Sequence, residues 1–300
     1  MNTLRPILHS AVTIMTPLLF AAMGGLFTAL GGMLNIALEG LLLIGAFGSI
    51  CFAHLTGNLF WGVVLGTLLS VMLSAVMGGI TLKLRANVFI TGLAVNLFAA
   101  GITLVLSFRF FGTRGVVVFN DLPRLKILAL PVIHRIPVLG DLLSGHTWYV
   151  YLSWLLLLIC WFIIYRTPFG FRLRACEKRS EALISLGLKP DHYRFAAFLL
   201  SGLTCGIGGS YLTLNLRAFV PNISSGKGWI ALVVIFLGSR RPRGLLAGAL
   251  LFGLADAFSN FAQGALNVPA DFILAIPYIF TLLVMIAISI YSKKTSGVLR

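Results

Sequence analysis

Acidic residues are scarce in this 300-residue chain: eight Asp and Glu stand against 23 Lys and Arg, and charged residues make up only 10% of the total. A soluble domain carries about 25% charged residues. With 59% hydrophobic residues and a mean hydropathy of +1.00, the chain reads as an integral membrane protein. No polar block is long enough for a separate soluble domain. A small-residue cleavage site followed by a polar mature start is also missing, so no cleavable leader is expected. The four cysteines, Cys51, Cys160, Cys176 and Cys205, form no CxxC pair and share no metal-ligand spacing with the five histidines. Neither a disulfide framework nor a metal site is indicated. The phosphate-binding pattern GxxxxGK[ST] is absent as well. Ser225-Gly226-Lys227-Gly228 copies its end, but Pro221 holds the first-glycine position and Gly228 replaces the magnesium-binding hydroxyl. ATP hydrolysis by that route is excluded, and no GxSxG elbow supports a serine hydrolase.

What the chain does have is long apolar runs. A span needs about 20 apolar residues. Runs of that kind lie near 11–29, 37–54, 59–82, 87–108, 148–165, 193–214, 243–262 and 271–291, with a shorter piece at 228–239 between Lys227 and Arg240. The formal net charge of +15 comes from basic residues in the connections, where it sets orientation rather than recruiting nucleic acid. The densest cluster, Arg166, Arg172, Arg174, Lys178, Arg179, Lys189 and Arg194, is expected on the cytoplasmic side. Nine crossings with the N-terminus outside follow if 228–239 crosses. Ten, with the N-terminus inside, follow if 11–36 hides two half-spans. Gly62/Gly66, Gly202/Gly206 and Gly244/Gly248 have the small-xxx-small spacing that lets helices approach closely in lipid.

A faint internal echo runs from Gly24-Gly25 through Asn35 and Gly40 to Gly48-Ser49, and again from Gly208-Gly209 through Asn222 and Gly228 to Gly238-Ser239. Transporters are often built from such repeats. Gaps are needed for the match, and chance likeness of Gly-rich stretches is an equal explanation.

Polar groups inside the spans need partners, because desolvating them alone costs free energy. Those positions are Asn35, Glu39, Asn96, Asn215, Asp256 and Asn260. Glu39 is notable, since no charge flanks it between Arg5 and Lys83. Its carboxylate either serves a transported solute or caps the backbone of an interrupted helix. Asp256 and Asn260, four residues apart on one helical face, suit either cargo contact or a clamp between helices. Amides both donate and accept, which fits sugar hydroxyls and purine edges.

Between Glu177 and Asp191, a short amphipathic helix is expected, with Ala182, Leu183 and Leu186 as its apolar stripe. Gly187 can close it and Pro190 prevents its continuation. Such a helix fits a groove on a soluble partner or the headgroup layer.

Glu181-Ala182 followed by Gly187 resembles the coupling motif of permease subunits of ATP-binding-cassette importers. So do 32–40, 86–97, 166–175, 226–232 and 238–244, which occur in the same order as in the branched-chain amino acid, ribose and basic-membrane-protein group. The likeness is greatest to its nucleoside/simple-sugar branch. One departure is Cys176-Glu177-Lys178-Arg179, where relatives usually carry a Gly-Glu-Asn-Pro-like turn. The resemblance implies an all-α polytopic permease, residues 1–300 forming one transmembrane domain with a cytoplasmic coupling segment at about 166–194. It implies Glu181, Ala182, Leu183, Leu186 and Gly187 as the docking site for an ATPase subunit, which holds the ATP and Mg. A second, related permease and an extracytoplasmic substrate-binding lipoprotein or periplasmic protein complete the expected assembly in the bacterial inner membrane. A nucleoside is the leading cargo, with riboflavin or a simple sugar as alternatives. The rival reading is an ion-coupled secondary transporter using Glu39 or Asp256.

Overall fold

The computed structural model describes residues 4–128 and 144–265, together with positions 279, 283 and 286. Its helices are α1 (Leu4–Leu30), α2 (Leu38–Thr56), α3 (Leu59–Lys83), α4 (Val88–Phe111), α5 (Trp148–Arg166), α6 (Pro168–Lys178), α7 (Ser180–Ser185), α8 (Pro190–Leu216), α9 (Lys227–Leu237) and α10 (Pro242–Ala265). The described residues thus form a predominantly helical protein. Seven of these helices are long and apolar enough to cross a membrane, and Lys227–Leu237 is a shorter apolar helix. The expected spans up to 262 each fall on one of them, with ends within a few residues apart from α1, which begins at Leu4 rather than 11. The run at 271–291 lies outside the described residues. Residues 11–30 belong to one continuous helix, α1, which carries Pro17 without breaking, so they do not divide into two half-spans.

Helix boundaries follow local chemistry. The Asn58 side chain accepts from the Phe60 N–H at 2.8 Å, and Asn87 accepts from Phe89 and Ile90, capping α3 and α4. Pro168 and Pro190 occupy the first turns of α6 and α8, where their missing N–H leaves no bond unmade. Pro190, expected to stop the short helix before it, also starts the next.

α1 is the buried centre. Its sides pack on α8, α9 and α10, while α8 packs in turn on α1, α2 and α3. The glycine pairs sit at these crossings. Gly62 and Gly66 of α3 press on Ser49 and Ala53 of α2, Gly202 and Gly206 of α8 press on Thr67, Ser70 and Ser74 of α3, and Gly244 meets Gly238. The internal echo falls on corresponding contacts. Gly24 of α1 abuts Ser201 and Thr204 of α8, and Gly208 of α8 abuts Pro17 and Phe20 of α1. Gly48 of α2 approaches Gly66 of the helix that follows, and Gly238, at the end of α9, approaches Gly244 of its own successor. Paired helices, each followed by an irregular stretch and a second helix, therefore use glycine at equivalent places.

The connection after α4 is not featureless. Two short antiparallel pairs form, β1 (Val117–Val118) with β4 (Ala218–Phe219) and β2 (Ile127–Leu128) with β3 (His146–Thr147). The Asp121 carboxylate meets His54 Nδ1 at 2.8 Å, tying this segment to the end of α2. That contact holds the Asp121 carboxyl below its ordinary range, the hydrogen bond with the His54 ring being the main cause.

Candidate functional site: a broken-helix junction and the cavity beside it

The chain leaves helix geometry after Leu30 and resumes it at Leu38. The first N–H groups of a helix have no partner within it, and burial makes that costly. No side chain of the preceding residue caps α2. Residues outside α2 do so instead. Asn96 of α4 accepts the Gly40 N–H at 2.7 Å and donates to the Ile36 carbonyl at 3.0 Å. Asn35, fully buried, accepts the Ala37 N–H at 2.9 Å and donates to Ser201 Oγ at 2.9 Å. At the other end of the break, Arg194 donates to the carbonyls of Gly31 and Cys176, fastening the end of α1 to α6 and α8.

Glu39 connects this break to the second one, between β4 and α9. Its two carboxylate oxygens accept the N–H groups of Gly226 at 2.8 Å and Gly228 at 2.6 Å. Gly226 is the left-handed residue preceding α9, with φ +79°. Two helix N-termini, each the positive end of its dipole, thus meet around one carboxylate. The approach is so close that a Cβ on Gly228 would collide with the Glu39 backbone nitrogen. Of the two roles open for Glu39 in the sequence, backbone capping is the one its hydrogen bonds describe.

The remaining polar positions gather elsewhere. Asn215 of α8, Asp256 and Asn260 of α10, and Lys227 at the start of α9 line a cavity of about 500 Å³ whose walls include Thr13 of α1 and Tyr211 of α8. An ammonium and a carboxylate face one space with two amides and three hydroxyl-bearing side chains, Thr13, Tyr211 and Ser225. Such a set can hold a neutral solute rich in donors and acceptors. In the sequence Lys227 flanks a short apolar piece and sits in the incomplete phosphate-loop look-alike; its place in the cavity comes from the irregular stretch that folds back to start α9.

The segment 177–191 contains the six-residue helix α7. Gly187, with φ +74°, closes it: the Leu188 N–H reaches the Leu183 carbonyl at 3.0 Å and the Gly187 N–H the Ile184 carbonyl at 2.9 Å. The apolar stripe expected on one face is split. Leu183 is buried against the protein, whereas Ala182 is exposed, as are Ile184 (61%) and Leu186 (75%). Glu181 and Gly187 are exposed too.

The family described as branched-chain amino acid transport system, permease component, matches residues 7–289. The chain belongs to that family of multi-pass membrane permeases. Among individual proteins, it is 33% identical over 287 residues to the guanosine ABC transporter permease protein NupQ of Bacillus subtilis, covering 90% of this chain and 87% of that one. The nucleoside ABC transporter permease protein NupC of Lactococcus lactis subsp. cremoris is 30% identical, with 95% and 92% covered. A putative glucose ABC transporter permease protein, TsgC13 of Haloferax volcanii, is 30% identical with 86% and 78% covered. No solved structure is significantly similar to the chain.

Proposed function

We propose that the chain is one of two membrane subunits of an ATP-binding-cassette importer that carries nucleosides across the bacterial cytoplasmic membrane. The observation that carries the reading is the shared cavity of Asn215, Lys227, Asp256 and Asn260 beside the broken-helix junction, in a chain similar along most of its length to nucleoside and guanosine permeases. Its volume falls inside the roughly 300–1,000 Å³ of small-molecule sites. The amides and the Asp256 carboxylate meet ribose hydroxyls and base edges, and the Lys227 charge balances the carboxylate in the low-dielectric interior. Asn35, Glu39 and Asn96 act one layer away, holding the two broken helices whose ends border the path.

The proposed topology has nine crossings with the N-terminus outside: the seven long helices, the short α9, and the apolar run at 271–291. Segment 166–194 then lies in the cytoplasm. There α7 docks on a separate ATPase subunit, with Ile184 and Leu186 joining Glu181, Ala182 and Gly187 on the outward surface and Leu183 anchoring the helix from within. ATP and Mg belong to that ATPase, a related permease supplies the second half of the path, and a substrate-binding lipoprotein or periplasmic protein delivers cargo from outside. A sugar is the second reading for the cargo, favoured by the likeness to the Haloferax glucose permease.

Competition tests the cargo. In cells expressing the whole importer, unlabelled guanosine and adenosine should suppress uptake of labelled guanosine, whereas ribose and glucose in the same excess should not. Suppression by glucose and not by adenosine would move the assignment to the sugar.

A further inference from the structure

A second cavity, of about 950 Å³, opens where the ends of α1, α5 and α6 meet the turn between α9 and α10. Five cations line it, Arg174, Lys178, Arg240, Arg241 and Arg243, against the single carboxylate of Glu177. That carboxylate is taken by Arg240. No carboxylate of the described residues pairs with Arg174, Arg241 or Arg243, so the wall carries a marked excess of positive charge.

Two of the guanidinium groups lie over aromatic rings. The Arg174 guanidinium lies 5.0 Å from the Tyr165 ring centre and 4.9 Å from that of Phe171, and Arg240 lies 5.7 Å from that of Phe236. Aromatic faces of this kind pack on the plane of a guanidinium and leave its edge free to donate; the Arg174 Nε–H goes to the Gly170 carbonyl at 3.4 Å. Trp161 and Tyr165 of α5 line the cavity beside these cations, amphipathic rings at the end of a membrane-spanning helix, where such rings mark the headgroup level. Leu158 and Phe162, one turn further into the span, are exposed apolar side chains. A basic pocket with an aromatic rim thus continues into a greasy outer helix face.

We propose that this cavity binds the phosphate headgroup of an anionic phospholipid of the cytoplasmic leaflet, with an acyl chain running along the outer face of α5. Guanidinium groups match phosphate oxygens in geometry and charge, and basic pockets between spans on the cytoplasmic side are where anionic headgroups lodge. A docked acidic protein would satisfy the arginines alone; the continuous aromatic and apolar wall favours the lipid. The inference rests on the orientation given above, which a Ser239→Cys variant labelled by an impermeant maleimide from one side of sealed vesicles checks by itself.

The test uses the quenching of tryptophan fluorescence by brominated lipid, with the Trp161 component taken as the difference between wild type and Trp161→Phe. In the assembled importer, brominated phosphatidylglycerol should quench that component more strongly than brominated phosphatidylcholine. The double variant Arg241→Gln/Arg243→Gln should lower the preference by about fivefold per arginine at low salt, and Arg241→Lys/Arg243→Lys should keep most of it. Equal quenching by the two lipids would overturn the proposal. Loss of the preference on adding millimolar inorganic phosphate would also overturn it, by identifying a free-anion site. So would its presence in the isolated permease and absence once the ATPase is bound, since the partner protein would then be the occupant. A poorly assembled glutamine variant leaves the wild-type comparison of the two lipids to decide.

Discussion

The carboxylate of Glu39 accepts the backbone N–H of Gly228 at 2.6 Å, joining the start of α2 to the start of α9 across 189 residues of sequence. With the Gly226 bond, both oxygens are committed to backbone donors. Glu39→Gln keeps one acceptor oxygen and turns its amide hydrogens toward the other N–H. Stability should fall by about 1–2 kcal/mol while uptake per assembled importer persists. Glu39→Leu strands both N–H groups, at about 1–3 kcal/mol each, and should leave little assembled protein. Thermal unfolding and uptake normalised to assembled complex separate the two effects; a stable Glu39→Gln importer without uptake would assign the charge to transport.

Gly228→Ala should be severe for a substitution of one methyl group. The collision is with backbone atoms of Glu39, which have nowhere to move, so a loss of about 1–3 kcal/mol or more is expected. Gly79→Ala is the control: its Cβ meets nothing within 4 Å near the C-terminal end of α3, and stability should hold or rise by up to about 1 kcal/mol. Melting temperatures of the two purified variants make the comparison.

Gly187→Val forces a β-branched residue to φ +74°, at roughly 1–2 kcal/mol, and disturbs the closure of α7 without touching the span interior. Cargo-stimulated ATP hydrolysis should fall while membrane insertion is preserved. Unchanged stimulation in an assembled importer would contradict the docking role of α7.

Asn215→Leu and Asn260→Leu each remove amide contacts from the cavity. Each lost hydrogen bond is worth about 0.5–1.5 kcal/mol, so the KM for guanosine uptake should rise about two- to tenfold with assembly unchanged. The same variants measured with a solute that uses other contacts would show a smaller change.

Asp121 gives a pH signature. Its folded pKa is depressed below the ordinary 3.8 by the His54 contact. The stabilisation is therefore fully present above the ordinary value and disappears as pH falls through the lower folded value. The melting temperature of wild type should exceed that of Asp121→Asn above pH 4 and converge with it as the pH drops further. A difference unchanged down to the lowest pH reached would remove the ion contact from the account.

The spans were legible because long apolar runs are bounded by Asn caps, Gly closures and basic connections, each a local signal. Asn35, Glu39 and Asn96 were recognisable as polar groups in need of partners, but sequence alone does not say whether a partner is cargo or backbone. Their partners, Ser201, Gly226, Gly228 and Ile36, are brought near by tertiary packing. Lys227 was hidden for the same reason, since its neighbourhood depends on where α9 starts. Leu183 and Leu186 looked equivalent at helical spacing, yet a helix of only six residues presents one inward and one outward. The spaced glycines of the faint echo mark close approaches between helices, which glycine spacing reports more plainly than side-chain identity.

The central claim is tested most directly by guanosine uptake into proteoliposomes containing the permease pair, the ATPase and the external binding protein. With ATP available to the ATPase, labelled guanosine should accumulate and continue to do so after a protonophore collapses the proton gradient, and omitting the ATPase should abolish it. Gradient-driven guanosine uptake by this chain alone, insensitive to ATP, would contradict the account.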